Sequence, residues 1–284
     1  MSLQEETQTP VDADFMFDAD ELAHLERVTH LRGILGLDGG NGFIATWADA
    51  DKGATSLVTR GLVAPPAEQG DEPRPDEVSE PLRTFLAVLF AGPARLGLSV
   101  ANGPTTAAIV LSFVGDRTFA ALPEPGASPA NTRIGLVDSD QLDEIAASSV
   151  GASDSASTLE SVGAVQPSFV LDLDEFLRLS QRITVGSESA TELVTSDLQR
   201  WGLPAEMAAD LVSYIVHGGR AVTAQLVTTQ SGRLATDVDV WFGRDEAWWH
   251  ADEGESTVTL RRVSRADAEL GIREMANRAL EAGR

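Results

Sequence analysis

Apolar residues recur at spacings of three and four along residues 20–35, at Leu22, Leu25, Val28, Leu31 and Leu35, and predict an amphipathic helix stopped by Gly36, Gly39 and Gly40. A short helix is predicted over 55–63, ending near Gly61, and the acidic, proline-rich run 64–76 reads as a surface loop. Ser79 then caps a stronger helix, with Pro81 in its first turn and Leu82, Phe85, Leu86, Leu89 and Phe90 on one face, which stops at Gly92. Beyond it the period changes from helical to alternating. Residues 96–100, 105–114 and 117–122 are short β-branched or alternating runs divided by N-G-P and G-D turns, hence an antiparallel meander, and 132–137 adds a further strand. Asp138 caps a helix with Leu142, Ile145, Ala146 and Val150 on one side.

The same order returns after a linker at 151–165. Asp172 and Glu175 have the spacing of a capping box at the head of a helix over 173–182, a second helix covers 190–200 up to Gly202, and Pro204 starts a third with the stripe Met207, Ala208, Leu211, Val212 and Ile215. Strands are predicted at 221–229, 236–242, 246–250 and 257–263, and a helix over 266–279 closes the chain. Gly92 lies 126 residues before Gly218, Val137 lies 126 before Val263, and Phe113-Val114-Gly115 lies 128 before Trp241-Phe242-Gly243. Such long-period self-similarity predicts an α+β fold of two quasi-repeated halves, 19–150 and 166–284, each a helix, antiparallel meander, helix unit. The halves either continue one central antiparallel sheet or pack sheet on sheet, with helical bundles at the flanks. Residues 1–18 form an acidic tail expected to be disordered, in which Phe15-Met16-Phe17 either docks on the fold or serves as a linear motif for a partner.

Composition removes several function classes. At 284 residues and 43% hydrophobic content the chain can bury a core without staples, and the absence of cysteine removes disulfides, thiolate nucleophiles and thiolate metal ligands. A formal charge of −23 with no visible basic patch repels phosphate backbones and anionic lipid, so neither nucleic-acid binding nor membrane insertion is expected. The first twenty residues carry acid instead of base, and no apolar run approaches the roughly 18 residues of a membrane span, so a cytoplasmic protein is expected. Lys52 is the only lysine among 21 basic residues, a bias that suggests a GC-rich, actinobacterial kind of genome.

The richest chemistry lies in G-R-D-E-A-W-W-H-A-D-E-G, residues 243–254, where two tryptophans, His250 and four carboxylates crowd together. Aligned with G-D-R-T-F-A-A-L-P-E-P-G, residues 115–126, the stretch keeps a turn and a strand but not its reactive groups. Gly243-Arg244-Asp245 is then the hairpin turn, Trp248 and Trp249 point to opposite faces, one of them buried and the other partly exposed or covered by a helix, and His250 shares the face of Trp248 as a satisfied sheet residue. G-L-D-G-G-N-G at 36–42 lacks a preceding strand and a following G-K-[ST], so it is a helix stop, not a phosphate loop. D-A-D-K-G at 49–53 departs from a calcium loop, with Arg60 at the twelfth position, and reads as a solvated turn. His24, His30, His217 and His250 show no paired metal spacing, and no G-x-S-x-G elbow accompanies them; no catalytic residue, metal or cofactor is assigned.

D-L-Q-R-W-G-L-P-A-E-M-A-A-D-L-V-S-Y-I-V at 197–216, followed by D-E-A-W-W-H-A, T-V-T-L-R-R-V-S and a closing helix, resembles the C-terminal half of the EspG family, cytosolic chaperones of actinobacterial type VII secretion. T-R-G-L-V at 59–63, a helix ending A-G-P, a meander, and T-R-I-G-L-V-D-S-D-Q-L follow that family's N-terminal order, so the resemblance spans residues 19–280. It implies an α+β fold of two quasi-repeats, no catalysis, and binding of helical-hairpin secretion substrates of the PE/PPE type, whose apolar tip such chaperones cover. By position it implies contacts from Trp201, Leu203 and Tyr214 on the second-half helices and from Arg220, Gln230 and Arg233 around the first hairpin of that half. Two rivals stay open: a partner-binding structural module outside secretion, and an enzyme using a carboxylate pair in a cleft between the halves.

Overall fold

A computed structural model describes residues 14–29, 49–65, 74–102, 105–123, 131–151, 168–172, 174, 188–230, 232–254 and 256–284. β1 (Phe15–Phe17) leads into α1 (Ala19–Thr29), α2 (Ala50–Thr59) and α3 (Glu80–Ala91). The meander β2 (Ala94–Asn102), β3 (Thr105–Val114), β4 (Arg117–Pro123) and β5 (Thr132–Val137) follows, and α4 (Ser139–Ser149) ends the first half. The second half contains β6 (Ser168–Asp172), α5 (Glu188–Arg200), α6 (Ala205–His217), β7 (Arg220–Gln230), β8 (Arg233–Arg244), β9 (Ala247–Glu253), β10 (Thr257–Val263) and α7 (Arg265–Ala282).

The strands form one ten-stranded antiparallel sheet in the order β1-β5-β4-β3-β2-β7-β8-β9-β10-β6, so the halves continue a single sheet and meet at β2 and β7. The pairing there is self-equivalent. Leu98 lies opposite Ala224, 126 residues further on, and an antiparallel pair whose central partners are sequence-equivalent has a local two-fold axis between them. The same operation carries the β5–β4 ladder onto β10–β9, with Val137 onto Val263. It also carries β1 onto β6: Phe15 faces Ile134 as Phe169 faces Leu260. Here the sequence itself repeats, F-M-F-D-A-D-E from Phe15 against F-V-L-D-L-D-E from Phe169. In the first copy the capping box is made, Asp18 N–H donating to Glu21 Oε2 at 3.1 Å and Glu21 N–H to Asp18 Oδ1 at 2.9 Å.

Alternation along the strands divides the buried residues between the two faces. On one face Leu96, Leu98, Phe113, Val222, Trp241 and Trp248 pack beneath α4 and α7, a core that crosses the junction of the halves. The other face holds two separate cores: α1, α2 and α3 cover one around Phe17, Phe85 and Phe119, while α5 and α6 cover the second around Phe242, Trp249 and Leu260. Buried acids lock α1 to α2. The Asp20 carboxylate takes the Lys52 ammonium, and Glu21 takes the Arg60 guanidinium at 2.7 Å together with the Ser56 hydroxyl.

Several expectations are corrected. D-A-D-K-G is no solvated turn but the first turn of α2, because the Asp49 side chain accepts from the N–H groups of Asp51 and Lys52; the helix therefore begins five residues earlier than the apolar pattern indicated. Ser79 occupies the cap position of α3 without a side-chain bond. The hairpin turn lies at Asp245 and Glu246, and its equivalence with the first half is an offset of 130, not 128: Gly115 and Asp245 share positive φ, +63° and +53°. Gly243 lies inside β8, where a Cβ would come within 2.7 Å of Trp248 Cα and Cγ, so close packing explains that glycine and not a turn. The two tryptophans do point to opposite faces as expected, both covered by helices, Trp248 under α7 and Trp249 under α5 and α6. Phe15–Phe17, placed in the tail, docks as β1 with Phe17 buried, and β6 is a strand that the sequence pattern did not announce. The continuation of the first helix past Thr29, the linker after Gly151 and the helix expected at 173–182 lie outside the described residues, apart from Asp174.

Candidate functional site

The two helical cores on the second face leave a gap between them. α3 packs on β3 and β4 and α6 on β8, so the side chains of β2 and β7 on that face are half-buried or exposed. Ladder register orders them as rows across the sheet. Val114, Pro93, Thr229 and Leu234 make one row, Arg95, Val227 and Thr236 the next, and Gly97, Gln225 and Val238 a third. Toward α6 the β8 side chains become buried: Leu234 is 73% exposed and Val238 48%, Val240 is half-buried, and Phe242 lies under the helix. The result is a strip running from a helix-covered core to an open hairpin tip, roughly 27 Å long at about 3.4 Å per residue.

The tip marks where the halves differ. In the first half β2 and β3 close at Asn102 opposite Thr105. The equivalent pair, Thr228 opposite Ala235, is followed by two more rungs, Thr229 with Leu234 and Gln230 with Arg233. The β7–β8 hairpin therefore projects past the start of β2, held there by the Thr229 N–H donating to the Pro93 carbonyl at 2.8 Å.

The six residues expected to make contacts fall into three environments. Arg233 is exposed at the tip, and Gln230 is its cross-strand partner. Trp201 and Tyr214 are half-buried at the margin of the α5–α6 core; the Tyr214 ring lies 4.9 Å from that of Phe242, and burial pushes its phenol above the ordinary value. Leu203 is buried, ending α5 by a motif found also at the end of α2: Gly202 and Leu203 N–H groups bond to the Gln199 and Leu198 carbonyls, as Gly61 and Leu62 bond to Val58 and Leu57. Arg220 donates to the carbonyls of Ser148 and Ser149 at the end of α4, which ties the two halves together, and burial lowers its guanidinium pKa. The sequence reading missed Leu234 and Val238. Leu234 had a signal: the connection between equivalent strand positions is four residues longer in the second half.

His250 Nε2 contacts Asp239 Oδ1 at 2.7 Å, Arg261 reaches its Nδ1 at 3.0 Å, and its ring lies 5.4 Å from that of Trp241. This imidazole is fully partnered inside the sheet. Among the described residues no group of three or more His, Asp or Glu side chains is arranged to hold a metal ion, and no helix is long and apolar enough to cross a membrane. A concavity of about 560 Å³ between α3 and the sheet is mostly apolar and has no carboxylate in its lining.

These features define an α+β chain built on one doubled antiparallel sheet, with part of one face open. That fold is shared with a solved structure of the Mycobacterium tuberculosis type VII secretion system chaperone EspG5 in complex with a PE25-PPE41 dimer: the TM-score is 0.54 at 14% sequence identity, covering 93% of this chain and 96% of that one. No family model matches the chain, and no curated protein matches it in sequence.

Proposed function

We propose that this chain is a non-enzymatic chaperone or adaptor that works in the cytosol and holds a helical secretion substrate, PE/PPE-like in form, against the open sheet face and the β7–β8 hairpin. The extra two rungs of that hairpin carry the reading. They depart from the two-fold relation and set Leu234 beyond Val238 on one exposed face, continuous with the margin of α6. Apolar anchors ringed by polar groups are what a docked helix needs, and a few of them supply most of the affinity. Arg233 and Gln230 form the polar rim at the tip, Trp201 and Tyr214 the far wall, and Leu203 and Arg220 hold these elements in place. The shared fold with a chaperone solved in complex with a PE25-PPE41 dimer supports the assignment at the level of architecture.

The test is purification from the native host at native expression, with mass spectrometry of what co-elutes. A stoichiometric complex, 1:1 or 1:1:1, with a helical-hairpin protein is expected. Burying Leu234 and Val238 stabilises a complex by about 1.5 kcal/mol each, so Leu234→Glu with Val238→Glu should weaken it roughly 100-fold. Arg233→Glu and Trp201→Ala should weaken it further with unchanged circular dichroism. Recovery of the chain always alone, or a partner insensitive to all four changes, would overturn the reading.

A further inference from the structure

The two-fold relation assigns a chemistry to the concavity beside α3. In the second half Tyr214 lays its ring over Gly219, so closely that a Cβ there would lie 2.6 Å from the ring, and against Phe242. The positions equivalent to Tyr214, Gly219 and Phe242 are Val88, Pro93 and Ser112. Valine is too short to reach across, and the Ser112 hydroxyl turns inward to donate to the Val88 carbonyl at 2.9 Å. The volume that holds an aromatic ring in one half is consequently open in the other, as the groove lined by Arg83, Ala87, Val88, Ala91, Pro93 and Val114. At about 560 Å³ it falls within the range, ~300–1,000 Å³, of sites that hold small organic groups. Pro93 and Val114 also belong to the first row of the open face, next to Thr229 and Leu234, so the groove continues the hairpin surface.

Charge narrows the occupant. In a chain of formal charge −23, Arg60, Arg133, Arg262, Arg273 and Arg278 all pair with carboxylates. Arg83, exposed at the groove, has no ion pair among the described residues, and neither has Arg95 in the adjoining row. We propose that this groove is a side-chain subsite for a bound polypeptide, receiving an aromatic residue flanked by a carboxylate that pairs with Arg83. Only the source of the occupant, a protein held on the open face, rests on the function proposed above; the groove's preference for an aromatic acid does not.

The direct test is titration of the ¹⁵N-labelled full chain with 3-(4-hydroxyphenyl)propionate and with its amide, followed by amide chemical shifts. Saturable shifts confined to Ala87, Ala91, Gly92 and Val114 are expected, with the acid binding at least threefold tighter than the amide and Arg83→Gln erasing that preference. Val88→Tyr, which copies the other half, should fill the groove and remove the shifts; Ala87→Trp, at an exposed helix position, serves the same end if the change at half-buried Val88 does not fold. Shifts that never saturate, that map elsewhere, or that survive both variants overturn the proposal, as does equal binding of acid and amide. A second arm uses the co-purified partner. If Leu234→Glu weakens the complex about tenfold and Ala87→Trp does so at least as much, both readings hold. If Leu234→Glu weakens it and Ala87→Trp has no effect, the subsite fails while the chaperone stands; if neither matters, the chaperone reading fails as well, and the small-molecule titration still decides the chemistry of the groove.

Discussion

Trp248 and Trp249 provide the sharpest test of the sheet architecture, because neighbouring residues of one strand feed two different cores. Trp248 is 2% exposed, packs beneath α7 and α4, and donates its Nε1 to the Asp245 carbonyl at 3.1 Å; Trp249 is 1% exposed and lies beneath α5 and α6. A fully buried indole removes up to roughly 250 Å² from water, an upper bound of about 6 kcal/mol at ~25 cal/mol per Å². Alanine retains part of that area, and cores relax around the cavity, so each Trp→Ala change should cost about 3–5 kcal/mol. Loss of the indole hydrogen bond adds about 1 kcal/mol for Trp248 alone. Against a total stability on the order of 5–15 kcal/mol both variants remain folded but marginal, and the milder Trp→Leu pair serves where they do not. Urea unfolding measures the cost, and hydrogen exchange with mass spectrometry locates it. Trp248→Ala should speed exchange in α7 and α4, Trp249→Ala in α5 and α6, each sparing the opposite layer. A cost below about 1 kcal/mol for either residue, or equal loosening of both layers, would refute the placement of these side chains as core.

Asp245 holds the positive φ that Gly115 holds in the equivalent turn, and Asp245→Gly should therefore stabilise the chain by about 0.5–1 kcal/mol in urea melts, whereas Gly115→Ala should cost about 1 kcal/mol. The Lys52 ammonium, then the Asp49 N–H, hold the Asp20 carboxyl below the usual carboxylate range, so its contribution to stability is complete above the ordinary value and disappears as pH falls through the folded one. Lys52→Met should flatten the acid limb of a melting-temperature profile below about pH 4; identical limbs would show that the pair does not couple to folding. Arg220→Gln should free the end of α4 at a cost of about 1–3 kcal/mol and raise exchange there, with partner binding lost only in proportion to stability; a binding defect without a stability defect would place Arg220 in the interface instead.

Periodicity carried most of the fold because both faces of this sheet are covered over much of their area, which forces apolar residues into regular positions. α3, α6 and the meander strands were legible for that reason, and so was the 126-residue equivalence of β2 with β7. Three features were hidden, each by a contact that spacing does not encode. β6 is short and edge-lying with Val170 exposed, so it lacks a clear alternating signal. The head of α2 rests on Asp49 and on an ion pair with a residue 32 positions away. Gly243 looked like a turn glycine because glycine serves turns and close approaches alike, and only the Trp248 ring beside it decides between them. At the candidate site, Tyr214 and Arg233 were named by position and border the open strip, while the exposure of Leu234 follows from the difference in hairpin length between the halves and that of Val238 from the gap between the helical cores.

That difference bears on how such a chain acquires a function. Two copies of one unit, joined along β2 and β7, have the same folding problem and solve it alike: β1 with α1 returns as β6 with its D-x-D-E, the α2 terminus returns at α5, and the terminal helices of both halves share one core. Folding alone gives no reason for the copies to part. On the open face the described residues part twice: the β7–β8 hairpin gains two rungs, and the ring of Tyr214 over Phe242 has no counterpart at Val88 and Ser112. Both changes border the same strip of sheet, one supplying a projecting apolar tip and the other an unfilled groove. On the function proposed above, these two differences fall where a bound partner would lie, and that placement is what the Leu234 and Ala87 variants test.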